Sequence, residues 1–201
     1  KEPLAQALDQ QGFSTLNVPY PSTRMPVPVL VRQIHREIER IAGDQPIHLI
    51  THSLGGIIAR SLIAEAPSWK PGRLVMLAPP NGGSEIVDWS KRHPLIHWLL
   101  GPAGRALGSD GLPTTLPPLP VDIEAAVIMG RRCSVPLFKK LLGEENDGIV
   151  SAQLGRIDGL RGFAVINADH TFIQVHPEAI KLSMSFLETG RWDSGESSPQ
   201  F

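Results

Sequence analysis

A chain of 201 residues that is 41% apolar has room for one large domain with a sizeable core. Its net charge of −1 provides no overall electrostatic footprint for nucleic acid or an anionic membrane. The single cysteine, Cys133, excludes an internal disulfide framework, and no apolar run is long enough to span a bilayer. No signal-peptide pattern opens the chain, so the expectation leans cytoplasmic, with a periplasmic or secreted location left open.

Residues 3–12 read as the last turns of an amphipathic helix, with Leu4 and Leu8 on one face and Gly12 as its stop. Phe13–Val18 follows as a short strand. The loop Pro19-Tyr20-Pro21-Ser22 leaves its carboxyl end, where parallel sheets bind ligands. Tyr20 there either lines a pocket or packs. A second helix runs from about Val29 to Ala42, with Leu30, Ile34, Ile38 and Ile41 on one stripe and the arginines outward.

Ile47-His48-Leu49-Ile50 reads as a buried strand that runs into Thr51-His52-Ser53-Leu54-Gly55-Gly56. Helical spacing then holds from Ile57 to Ala64 and stops at Pro67. A serine where a strand turns sharply into a helix is placed to act as a nucleophile. Gly55 frees the backbone to fold back, and the helix start aims unpaired N–H groups and its dipole at charge developing beside Ser53. Thr51 stands where this motif usually has its first glycine. The plain alternative is a Ser-Gly-Gly turn at the head of an ordinary helix.

Arg73–Ala78 reads as the next strand, emptying into Pro79–Ser84 near Ser53. Residues 84–120 interrupt the rhythm with Trp89, Leu95, Ile96, Trp98, Leu99 and Leu100 before a Gly/Pro-rich stretch. The preferred reading is a helical cap giving a substrate apolar walls; the alternative is a helix pair that only shields the sheet. His93 and His97 share helical spacing but have no third ligand, so no metal is expected, and no cofactor is called for. Ala125–Gly130 resumes as a strand, Cys133 reads as a packed thiol, and a short helix spans about Phe138–Leu142. The acidic loop 144–151 leads to a last strand, Gly162–Ile166, which delivers Asn167–Thr171. A closing helix covers about Pro177–Leu187, and residues 190–201 read as a mobile polar tail. Alternating helix and strand over residues 1–189 means an α/β domain with a mostly parallel sheet flanked by helices.

Ser53, Asp147 and His170 each stand at or after the carboxyl end of an expected strand. The chain order Ser, acid, His, with Thr51–Gly56, Asn146–Val150 and Asp169–Ile173 as motifs, resembles the α/β-hydrolase superfamily, specifically its small bacterial serine esterases and lipases. The resemblance implies Ser53 as nucleophile, His170 as general base and then acid, Asp147 as the orienting carboxylate, and the Leu54 N–H as one oxyanion-hole donor. Glu85 and Asp88 compete for the acid's role. Asp169 points away from its neighbour His170 and is a poor orienter. His52 is expected beneath the serine, and His176 at the surface. The implied activity is hydrolysis of a small-molecule ester or lipid through an acyl-serine intermediate. Thioester or amide hydrolysis, acyl transfer, a non-catalytic binding module and a structural subunit remain open alternatives.

Superfamily members also carry a strand and a His-Gly-type loop before the first helix seen here, the strand lying between Phe13–Val18 and Ile47–Ile50. The sequence holds neither. The expectation is therefore an apparently missing N-terminal strand, with upstream residues, another segment or another chain filling the slot, and an unnamed second oxyanion donor.

Overall fold

The computed structural model describes residues 2–192, so the expected tail lies outside it from residue 193 onward. Its sheet has four parallel strands in the spatial order 1-2-3-4: β1 (Ile47–His52), β2 (Pro71–Leu77), β3 (Ala125–Gly130) and β4 (Gly162–Ile166). Register follows from Ile50 opposite Val75, Val75 opposite Ala126 and Ala126 opposite Gly162. The period of two sorts side chains to opposite faces. Leu74 and Met76 of β2 pack on one side with Val127 and Met129 of β3, while Val75 and Leu77 join Ile128 on the other.

Both faces are covered by helices. In chain order these begin with α1 (Glu2–Gln10), α2 (Val27–Ile41) and α3 (Leu54–Ala64). Helices α4 (Glu85–Ser90), α5 (Pro94–Leu99), α6 (Gly101–Arg105) and α7 (Leu112–Thr115) occupy the interrupting segment. The chain closes with α8 (Pro136–Leu142), α9 (Ala152–Gly155) and α10 (Pro177–Thr189). Leu8 of α1 and Leu182 and Phe186 of α10 seal the Val75 face, whereas Ala59 and Ile63 of α3 seal the Met76 face. The outer side of α3 then packs on α2 through Leu30, Ile34, Ile57 and Ile58.

Three expectations are corrected. Phe13–Val18 is not a strand: β1 pairs only with β2, and among the described residues no strand adjoins its other edge. Without a neighbour for its N–H and C=O groups, the segment makes no ladder. The segment instead sets Phe13 edge-on against His48, ring centroids 6.0 Å apart, and leaves Leu16 exposed. In α2, Ile41 is 56% exposed; Val27 and Val31 join Leu30, Ile34 and Ile38 on the buried face, which moves that face toward the helix's amino end. The start of the supposed tail is packed. Gly190, at φ 73°, turns the chain out of α10, and Trp192 Nε1 donates to the Leu182 carbonyl at 3.0 Å.

Candidate active site

The site forms at the carboxyl ends of the strands, starting from the junction of β1 and α3. β1 runs to His52, two residues further than its apolar pattern, and α3 starts at Leu54. Ser53 alone makes the turn, at φ 54° and ψ −123°, and its N–H is tied to the Leu77 carbonyl of β2 at 2.8 Å. A turn this sharp needs small neighbours. A Cβ on Gly56 would lie 2.8 Å from Pro79 Cβ, and one on Gly55 3.3 Å from both Thr51 Cβ and the Tyr20 hydroxyl. The tighter of the two positions is therefore Gly56, not the Gly55 that the motif singles out. Tyr20 packs against this junction, and burial raises its phenol pKa.

His170 reaches Ser53 from the loop after β4. Its Nε2 accepts from Ser53 Oγ at 2.9 Å, and its Nδ1 donates to Asp147 Oδ2 at 2.7 Å. The carboxylate fixes the tautomer, because Nδ1 must carry the proton that Asp147 accepts, leaving Nε2 as the acceptor. The backbone holds the imidazole as well. His170 N–H donates to the Asp147 carbonyl at 3.0 Å, and the His170 carbonyl accepts from His52 Nε2 at 2.7 Å. His52 is thus a support for the His170 loop, with the two rings 5.1 Å apart.

Asp147 is 2% exposed, and its second oxygen is not left dry: Oδ1 accepts from the N–H groups of Ile149 at 3.0 Å and Val150 at 2.8 Å. Asn146 stiffens the same turn, accepting from Gly148 N–H at 2.9 Å and donating to the Gly143 carbonyl at 2.6 Å. Gly130, at the end of β3, had read only as the end of a strand. A Cβ there would sit 2.9 Å from Asp147 Cβ and closer still to the Ala168 carbonyl, so glycine is what lets the Asp147 and His170 loops approach each other. Its signal in the sequence is a lone glycine closing an apolar strand.

The competing carboxylates are engaged elsewhere. Glu85 Oε1 accepts from Ser151 Oγ at 2.7 Å, and Asp88 takes Lys91 Nζ at 2.9 Å and the Ser109 N–H. Asp169 Oδ1 accepts from the N–H groups of Thr171 and Phe172, each at 3.0 Å, and so shapes the turn after His170. Ser90 Oγ meets His97 Nδ1 at 2.9 Å, and His93 stacks on Trp89 with centroids 4.2 Å apart. Cys133 Sγ donates to the Val135 carbonyl at 3.3 Å, and His176 stands at the head of α10.

Ser53 opens into a cavity of about 200 Å³ whose apolar walls include Leu54, Val87, Leu100, Leu107 and Ile149. Ser22 and Thr23, from the loop after residue 18, add hydroxyls to its rim. Residues 84–120 therefore contribute walls through α4, α6 and Leu100. Leu95, Trp98 and Leu99, in contrast, face solvent. Ser84 fixes the start of this segment, its hydroxyl on the Ile149 carbonyl at 3.0 Å and its N–H on the Leu107 carbonyl at 2.8 Å. A hydroxyl bonded to an imidazole that is itself oriented by a buried carboxylate can pass its proton to Nε2 as oxygen attacks an electrophile.

No protein-family model and no curated protein sequence matches the chain. Solved structures do resemble it. A Bacillus licheniformis lipase in its propeptide form aligns over 97% of this chain and 47% of its own, at a TM-score of 0.74 and 16% identity. The mature form of that lipase aligns over 94% of this chain and 84% of its own, at 0.68 and 16%. A metagenomic carboxyl esterase aligns over 85% and 58%, at 0.68 and 19%. The chain thus spans about half the length of the propeptide form. The parallel sheet, its flanking helices and these neighbours together give the chain the α/β-hydrolase fold.

Proposed function

We propose that the chain is a serine hydrolase that cleaves carboxylic esters through an acyl-serine intermediate. The observation that carries this reading is the relay from Ser53 Oγ to His170 Nε2 at 2.9 Å and from His170 Nδ1 to Asp147 Oδ2 at 2.7 Å. As Ser53 Oγ bonds to the ester carbonyl carbon, its proton passes to His170 Nε2. The resulting imidazolium faces the Asp147 carboxylate, which offsets its charge. The carbonyl oxygen gains negative charge beside the amino end of α3, where the Leu54 N–H is the proposed oxyanion donor. Collapse expels the alkoxide, which takes the proton from Nε2. Water then repeats the sequence and frees Ser53.

The apolar cavity beside Ser53 supports acyl chains of short to medium length over charged acyl groups, which would lose hydration there unpaired. The fold neighbours that are lipases and esterases agree with this reading. The test is hydrolysis of p-nitrophenyl butyrate together with covalent labelling by a fluorophosphonate probe. The unaltered chain is expected to do both and Ser53→Ala neither, with its melting curve preserved. Equal turnover in Ser53→Ala removes Ser53 from the mechanism. An unaltered chain that resists the probe favours a non-catalytic binding module on the same fold.

A further inference from the structure

The turn that carries Asp147 has little regular structure of its own. Asn146 and Ser151 face each other across a single antiparallel bridge, and Gly148 takes φ 97° between them. The bonds within the turn are local. Asp147 Oδ1 accepts from the Ile149 and Val150 N–H groups, and Asp147 N–H donates to the Val150 carbonyl at 3.3 Å. These fix the carboxylate relative to the turn, not the turn relative to His170, which arrives from another strand. Beyond the His170 N–H on the Asp147 carbonyl, the segment after β2 supplies that hold. Asn81 Nδ2 donates to the Gly155 carbonyl at 2.8 Å and Gly82 N–H to the Leu154 carbonyl at 2.7 Å. Ser84 Oγ donates to the Ile149 carbonyl at 3.0 Å, and Ser151 Oγ donates to Glu85 Oε1 at 2.7 Å. Residues 81–85 thus clasp residues 149–155. Among these ties only that of Glu85 joins two side chains, and it lies at the foot of the Asp147 turn. Ser151 is buried there, and Glu85 Oε2 is buried without a hydrogen-bond partner among the described residues.

We propose that Glu85 is a positioning residue: through Ser151 it holds the Asp147 turn where Oδ2 meets His170 Nδ1, a role that rests on the hydrolase reading above. Glu85 opens α4 and does not line the cavity beside Ser53, so it acts through Asp147 and not on substrate. Removing its carboxylate leaves the buried Ser151 hydroxyl without an acceptor, at a cost the turn relieves by shifting. The 2.7 Å bond from His170 Nδ1 to Asp147 Oδ2 lengthens or bends with that shift. Contacts of the acyl chain with the apolar walls stay as they were. The imidazolium that forms during attack, in contrast, loses part of its counter-charge. A misplacement of about 1 Å in such a relay costs up to about a hundredfold in turnover. The loss therefore falls on kcat and leaves KM in place. A tie that served only the fold would lower stability and leave the turnover of the folded chain intact.

The experiment is steady-state kinetics on p-nitrophenyl butyrate with Glu85→Ala, Glu85→Gln and Ser151→Ala, folding being checked by circular dichroism. Glu85→Ala and Ser151→Ala should each lower kcat by about tenfold to a hundredfold, with KM within about twofold of the parent. The double variant should lose no more than either alone, as expected for the two ends of one bond. Glu85→Gln keeps an oxygen acceptor and should stay within about threefold of the parent. Parental kcat in folded Glu85→Ala or Ser151→Ala overturns the proposal. So do additive losses in the double variant, or a Glu85→Gln as slow as Glu85→Ala. Ser151→Ala, the smaller change, carries the comparison if Glu85→Ala does not fold. A second readout needs no substrate: the proton on His170 Nδ1, seen by NMR as a downfield resonance, reports its bond to Asp147. It should persist in Glu85→Gln and broaden or move upfield in Glu85→Ala and Ser151→Ala; an unchanged resonance in both overturns the proposal. The two readings therefore fail separately. A chain that neither hydrolyses the ester nor takes the fluorophosphonate probe defeats the hydrolase reading, while the resonance still decides the role of Glu85.

Discussion

Ser53 holds a backbone shape that side chains rarely adopt, and strain of this kind costs about 1–3 kcal/mol. The surroundings impose it: the Leu77 carbonyl holds the Ser53 N–H, while Gly56 lets α3 press against Pro79. His48 shows how its surroundings can set a titration. His48 Nδ1 accepts the Arg73 N–H at 2.8 Å, and burial, followed by the charge of Arg73, holds its pKa below the ordinary 6.5. The folded chain therefore refuses a proton that the unfolded chain accepts. Stability is full above about pH 6.5 and declines as pH falls below it, until the lowered folded pKa is itself passed. His48→Gln removes that titration. The urea midpoint of the variant should fall less than that of the parent between about pH 7 and pH 5. Parallel declines in both would show that His48 does not titrate with folding.

At the scale of elements, α3 does two jobs. Its first turn presents Ser53, and two turns on it buries Arg60, 6% exposed and without an ion pair among the described residues. Arg60 Nη1 donates to Asn81 Oδ1 at 3.2 Å and to the Pro113 carbonyl at 3.4 Å, and Nη2 to the Pro117 carbonyl at 3.5 Å. One guanidinium thus ties the serine's helix to the loop after β2 and to residues 113–117. Arg60→Met keeps most of the volume but leaves the buried Asn81 and Pro113 acceptors dry, at about 1–3 kcal/mol for each group left unpaired. Chemical denaturation should show a loss of at least that size, and a loss below about 0.5 kcal/mol would mean that water replaces the guanidinium. Nothing in the local sequence signals this tie, because an arginine amid Ile57–Ala64 carries no trace of carbonyls that arrive later in the chain. The same limit hid Gly130 and made a strand of Phe13–Val18. The convergence of Ser53, Asp147 and His170 was legible because each lies in a short motif at or after the end of an expected strand. Contacts between distant loops leave no such local mark.

For the whole molecule, the sheet's order makes its edge unlike its centre. β3 lies between two strands and is buried throughout, whereas every residue of β1 is only half-buried. Parallel strands alternate the direction of their backbone groups. Ile47 N–H meets the Lys70 carbonyl and Ser53 N–H meets that of Leu77, so odd-numbered positions of β1 turn toward β2. His48 and Ile50 therefore aim their N–H groups at the far edge, where no strand lies among the described residues. An edge of this kind is open to water and to pairing with other strands. Amides inside β3 should exchange with deuterium only when the domain unfolds, at an expected cost of about 5–15 kcal/mol. The amides of His48 and Ile50 should exchange far sooner, through local access that needs no global opening. Residue-resolved exchange by NMR separates the cases. If His48 and Ile50 match the protection of Val127 and Ile128, a further segment or chain covers β1, and the sheet does not end there.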